Sequence, residues 1–225
     1  MMKTREKIRG FHMTFYIDGQ DEDCSREIGQ CLKKCIQRHL QPWTELVFLC
    51  IGSDRITGDS LGPFIGHKLS GYDLPGTFLY GTLEAPVHAL NLNATIKTIH
   101  QNHIQPLIIA IDASLGTKKH LGYITVGNGR LYPGAGVHKS LPPTGDIFIT
   151  GIVSQAGVLE HFALQNTRLH TVISMADAIT DGILLAYRSY FQRLTRLPSP
   201  FRHLSEGRLR SVTNSATSAA SSEEI

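Results

Sequence analysis

Long apolar runs are missing from this sequence. No stretch approaches the roughly 18 consecutive apolar residues of a membrane-spanning helix. The basic start, MMKTREKIRGFHMTFYIDGQDED, is not followed by the apolar core of a signal peptide. Neither a spanning protein nor a secreted one is expected. Charge is scarce as well: 18% of residues are charged, and 22 Lys and Arg against 19 Asp and Glu leave a net charge of +3 with no clustered basic stripe. Nucleic acid and anionic membranes are therefore not expected as partners. Cysteine is sparse, at Cys24, Cys31, Cys35 and Cys50, and no CxxC pair occurs; this suits a reducing cytoplasm. GxGxxG and GxxxxGK[ST] are absent, so nucleotide binding has no specific support, and 11 histidines form neither HExxH nor HxH.

What is present is enough for one substantial core: 225 residues, 41% of them hydrophobic, with 21 glycines for short turns. Residues 1–23 read as a flexible arm in which Met13 is an alternative start. Residues 24–197 read as a single domain. Residues 198–225 read as a disordered tail, because the last fifteen hold five serines, two threonines and three alanines and bury too little to fold. Residues 24–40 carry Ile28, Cys31, Leu32, Cys35 and Ile36 at helical spacing, so the cysteines are read as small residues packed on one helix face. LVFLCIG (46–52), TFLYGTL (77–83), PLIIAIDA (106–113) and DIFITGIV (146–153) are strands buried on both faces. GYITV (122–126) alternates more and fits an edge. Helices are expected at 87–104, with Ala89, Leu92, Ile96 and Ile99 on one face, and over the stripe Ile179, Ile183, Tyr187, Tyr190 and Leu194. Alternating buried strands and amphipathic helices predict an α/β fold, a three-layer α/β/α sandwich around a mainly parallel mixed sheet.

In such sheets chemistry gathers beyond the carboxyl ends of the strands. Three loops there stand out: Gly52–Pro63, Asp112-Ala113-Ser114, and the glycine-rich stretch Tyr132–Lys139. Asp112 closes an apolar run, where a carboxylate costs desolvation unless it is bonded or faces a cleft. Asp59 precedes a helical pattern, where it serves either as an N-terminal cap or as a functional acid. Two close carboxylates share a proton, one acting as base on water and the other as acid.

Gly58-Asp59-Ser60-Leu61 spells the signature of GDSL-type serine esterases. No aspartate is followed by histidine three residues on, however, and no GxND block occurs, so Ser60 lacks a base to activate it. His88, His100 and His103 fall within the expected helix and read as solvated or core-bonded. His138 ends the glycine-rich loop and can join Asp59 and Asp112 as a ligand set for a divalent transition metal.

GSDRITGDSLGP, IIAIDASLGT and YPGAGVHKSLP together resemble the germination protease superfamily, which degrades small acid-soluble spore proteins, and more closely the YyaC-type sporulation proteins of endospore-forming bacteria. The same phosphorylase/hydrolase-like architecture is shared with the hydrogenase-maturation endopeptidases. The resemblance spans roughly residues 45 to 190. It places Asp59 on the aspartate of a PDALGP-like loop and Asp112 on the aspartate of an AIDA strand end, that family's catalytic pair. In the hydrogenase-maturation enzymes the same two positions are metal-contacting carboxylates joined by a later histidine, for which His138 stands at about the right place.

The expected function is a cytoplasmic, sporulation-associated peptidase of the forespore or spore core. Its catalytic residues are Asp59 and Asp112, and Gly134 and Gly136 offer backbone N–H groups to the developing oxyanion. A peptide or spore protein is the expected substrate, and self-association is implied by the resemblance alone. The alternatives are a non-catalytic forespore binding or assembly protein and, behind it, the serine esterase.

Overall fold

The computed structural model describes residues 5–9, 12–134, 141–157, 159–194 and 210–211, with side chains described between 13 and 190. Among the described residues the strands are β1 (Arg5–Arg9), β2 (His12–Asp18), β3 (Glu45–Cys50), β4 (Thr77–Tyr80), β5 (Pro106–Gly116), β6 (Tyr123–Asn128), β7 (Ile147–Gln155) and β8 (Arg210–Ser211). They form one sheet in the order β1-β2-β6-β7-β5-β3-β4-β8. Strands β7, β5, β3, β4 and β8 run parallel, and β1, β2, β6 and β7 pair antiparallel. The sheet is therefore mixed, as expected.

The helices are α1 (Cys24–Gln37), α2 (Leu61–Leu69), α3 (Leu92–Asn102), α4 (Glu160–Gln165) and α5 (Leu169–Leu194). Two apolar clusters define the layers. On one face Ile28, Leu32 and Cys35 of α1, Leu61 and Ile65 of α2, and Ile179 and Ile183 of α5 pack on Phe48, Ile109, Ile149 and Val126. On the other, Leu92 and Ile99 of α3 pack on Val47, Leu49, Ile108 and Ala110. Residues of opposite parity along each strand fill opposite clusters, which is why β3 and β5 read as unbroken apolar runs. Each fully buried Leu, Ile or Phe contributes about 1.5–3 kcal/mol by leaving water.

The cysteine reading holds: Cys24, Cys31 and Cys35 are buried on the inner face of α1, and all four cysteines are free. Burial pushes the Cys24 and Cys35 thiols up to about 12 and Cys50 higher still, leaving them unreactive. One segment of α5, Leu169–Tyr190, is long and apolar enough to cross a membrane; half of its most apolar window is buried. Tyr190 stacks on Trp43 at 5.5 Å, and the Tyr187 hydroxyl donates to the Pro75 carbonyl at 2.9 Å. Those contacts explain its hydropathy as that of a core helix.

Three expectations are corrected. Residues 12–18, assigned to a flexible arm, form β2, with Phe15 and Ile17 buried against the α1 layer. The alternation in HMTFYID is a strand signal that proximity to the terminus had hidden. Because β2 pairs with β6, GYITV is an interior strand between β2 and β7. The helix expected from 87 begins at Leu92, since residues 86–91 form a hydrogen-bonded turn described below. The 198–225 tail lies outside the described residues except Arg210–Ser211, which pair with Phe78 and Leu79.

Chain direction fixes where chemistry can sit. From β3 the chain passes through α2 to β4, and from β4 through α3 on the opposite face to β5, back across β3. Beyond their carboxyl ends the chain leaves β3 toward β4 on one side of the sheet order and β5 toward β6 on the other, and a crevice lies between them.

Candidate active site

Asp112 lies within β5, in register with Thr150 of β7, and is 5% exposed. Leu107–Ile111 bury the strand on both sides and carry the acid to the crevice floor. Burial and then the charge of Asp59 hold its carboxyl well above the usual carboxylate range, against the opposing effect of hydrogen bonds from the Ala113 and Gly134 N–H groups. Gly134 was expected to supply an oxyanion donor. Its amide instead engages Asp112, so it positions the acid. Gly136, the other expected donor, lies outside the described residues.

Asp59 arrives by a different route. After β3 the chain passes Gly52, whose φ of +142° suits glycine, and whose added Cβ would stand 2.0 Å from the Asp59 carbonyl oxygen. Residues Thr57–Ser60 then form a 3-10 turn, with the Asp59 N–H donating to Ile56 at 3.0 Å and the Ser53 N–H donating to the Asp59 carbonyl at 3.2 Å. The helix that follows presses close: a Cβ on Gly62 would lie 2.0 Å from the Ile51 carbonyl oxygen. Burial pushes the Asp59 carboxyl up, while the Ser53 N–H draws it back down. Asp112 is thus the aspartate that keeps its proton, and Asp59 ionises first.

Both acids line one open cleft of about 430 Å³. Its walls are largely aliphatic, with Ile51, Ile56, Leu90, Leu141 and Leu164 among them, and Arg55, His88 and His161 supply nitrogen donors. Apolar walls lower the local dielectric and strengthen the coupling between the acids. The adjacent pair foreseen from sequence is therefore brought together at the crevice.

Ser60 is buried, at 3% exposure, and its hydroxyl donates to the Thr57 carbonyl at 2.6 Å, closing the 3-10 turn. That hydroxyl is a structural cap, and the serine-esterase reading falls with it. His138 lies outside the described residues. Among the described residues no group of three or more His, Cys, Asp or Glu is arranged to hold a metal ion.

Sequence reasoning missed two cleft histidines. His88 had been assigned to a helix, but it sits in the turn before α3. His161 lies in α4, a helix too short to leave a periodic signal. The PVHAL stretch directly after β4 held the available clue, because loops leaving that edge of the sheet converge on the crevice. His103 was read as solvated or core-bonded and is the latter: it is 8% exposed, between the Tyr80 hydroxyl and the Glu45 carboxylate, each at 2.8 Å.

The fold and crevice define an α/β/α domain with two aspartates, Asp59 and Asp112, lining one cleft. Residues 16–182 match the family described as a protein of unknown function (DUF1256), and the chain belongs to that family. It is 42% identical over 178 residues to the uncharacterized protein YyaC of Bacillus subtilis (strain 168), covering 79% of this chain and 86% of that protein.

Proposed function

We propose that this chain is a peptidase in which Asp59 and Asp112 hydrolyse a peptide bond through an activated water. The observation that carries this reading is the shared cleft: the buried Asp112 carboxyl, held well above the usual carboxylate range, lines the same space as the Asp59 carboxyl, which is raised less. Asp59, ionised, takes a proton from water as the water oxygen bonds to the scissile carbonyl carbon. Asp112, protonated, donates to the leaving nitrogen as the carbon–nitrogen bond breaks. The proton on Asp59 then returns to Asp112, restoring the starting state. An open cleft beside the pair favours hydrolysis over the alternative of a non-catalytic assembly protein, in which the acids would need no access to solvent.

The motif order that resembles germination protease supports a spore-protein substrate and a sporulation-associated role in the forespore. Four buried free thiols support a reducing, cytoplasmic setting. The test is cleavage of small acid-soluble spore proteins, and of casein as a generic substrate, by wild type, Asp59→Asn and Asp112→Asn. Loss of between about 10²- and 10⁴-fold in each variant is expected for removal of a general acid or base. Full cleavage by both variants would discard the dyad, and no cleavage of any substrate by wild type would discard the peptidase.

A further inference from the structure

Acyl transfer needs a hydrogen-bond donor aimed at the oxygen on which negative charge develops. With the Gly134 amide engaged by Asp112, a donor is sought among the described side chains of the cleft. Three nitrogen-bearing side chains line it. Arg55 is exposed at the mouth, where a long side chain in water has no fixed direction. His161 is also exposed, and its Nε2 faces Gln165 at 3.2 Å. His88 is different. It is half-buried, and its turn is clamped from both sides: its N–H donates to Asn91 Oδ1 at 2.8 Å, and its carbonyl accepts from the Asn91 and Leu92 N–H groups at 3.1 and 2.9 Å. The Asn91 amide closes the turn by donating to the Pro86 carbonyl at 3.0 Å.

The ring itself is oriented. The Leu90 N–H donates to His88 Nδ1 at 3.3 Å, so Nδ1 is an acceptor and the neutral ring carries its proton on Nε2. The turn is also tied to the loop that holds Asp59. Val87 bridges Ile51, and its carbonyl accepts the Gly52 N–H at 2.8 Å. We infer that His88 is a third catalytic residue, presenting its Nε2–H to the carbonyl oxygen of a peptide held in the cleft and stabilising the oxyanion as water adds. It acts as a neutral donor and gains no proton in the step. This rests on the peptidase reading for its role in turnover, while the donor geometry and the carbonyl contact stand apart from it.

The test uses the full chain. Long-range proton–nitrogen spectra, with His88 assigned by the signal lost in His88→Gln, are expected to show Nε2 protonated and Nδ1 bare. Titration with pepstatin, a peptide bearing a tetrahedral-centre mimic, is expected to shift the His88 Nε2–H resonance. In casein cleavage, His88→Ala is expected to lower kcat by about 100-fold with KM within twofold. His88→Gln, which keeps an N–H donor at similar reach, should recover most of that loss. A proton on Nδ1, no response of His88 to pepstatin at any concentration, or wild-type turnover in His88→Ala would each overturn the assignment. A pepstatin response without any cleavage would keep the donor and refute the peptidase. Cleavage that His88→Ala leaves untouched would do the reverse.

Discussion

The Gly52 N–H donates to the Val87 carbonyl at 2.8 Å, and next to it the Ile51 N–H donates to the Ile111 carbonyl at 2.7 Å. These two bonds join the three segments that carry His88, Asp59 and Asp112, since each acceptor immediately precedes a cleft residue. A disturbance at Gly52 should therefore be felt by all three. Gly52→Ala places a Cβ against the Asp59 carbonyl at a φ that alanine resists. Overpacking of this kind costs about 1–3 kcal/mol; thermal unfolding should record that loss, and cleavage should fall with it.

The acid pair predicts a pH profile. Activity requires Asp59 ionised and Asp112 protonated, and both are raised above the ordinary carboxylate range, Asp112 the further. A plot of kcat/KM against pH should be bell-shaped, with the acidic limb set mainly by Asp59 and the basic limb mainly by Asp112. The two apparent values belong to the coupled pair. A flat profile across the carboxylate range and above it would contradict the assignment.

Stability should respond to the same group with the opposite interest. A carboxyl whose folded pKa exceeds its unfolded value of about 4 favours folding below that value and loses the contribution as pH rises through the folded pKa. Asp112→Asn removes the titration. Its Tm relative to wild type should therefore rise with pH above the unfolded carboxyl value until Asp112 ionises in the fold, while its activity is lost, a trade between stability and function common at catalytic sites. A difference in Tm that does not change with pH would show that Asp112 is not protonated in the fold.

Ser60→Ala separates the dyad from the esterase. Removing the hydroxyl that bonds to Thr57 should cost about 1 kcal/mol in denaturant unfolding. Cleavage of peptide or ester substrates should change by less than twofold, because Ser60 is a cap on a turn.

His103 offers a test away from the cleft. His103→Ala leaves the Tyr80 hydroxyl and the Glu45 carboxylate without their shared partner and opens a void between β4 and α3. About 2–4 kcal/mol should be lost in unfolding experiments, with the pH profile of activity unchanged.

The layered α/β architecture was legible because β3, β5 and β7 are unbroken apolar runs and α1 and α5 carry their stripes at helical spacing. Asp112 was legible because a carboxylate at the end of such a run has few inexpensive places to be, and Asp59 because it precedes a helical pattern in the loop that leaves β3. What escaped depended on partners distant in sequence. The Gly134 amide bonds an acid some twenty residues upstream, a pairing no local pattern records. The His88 turn is shaped by the Asn91 side chain, which turns back to the His88 N–H and leaves its helix to begin without a side-chain cap. β6 read as an edge because its neighbour β2 lies over a hundred residues earlier in the chain.

Asp112 belongs to a strand bonded on both sides, by β3 and by β7, whereas the wall formed by His161 and Leu164 comes from the six-residue helix α4. The floor of this cleft is thus fixed by the framework and that one side is replaceable. Relatives can diverge in what they accept by exchanging α4 alone, and a graft of it is the economical way to redirect the site toward a new side chain.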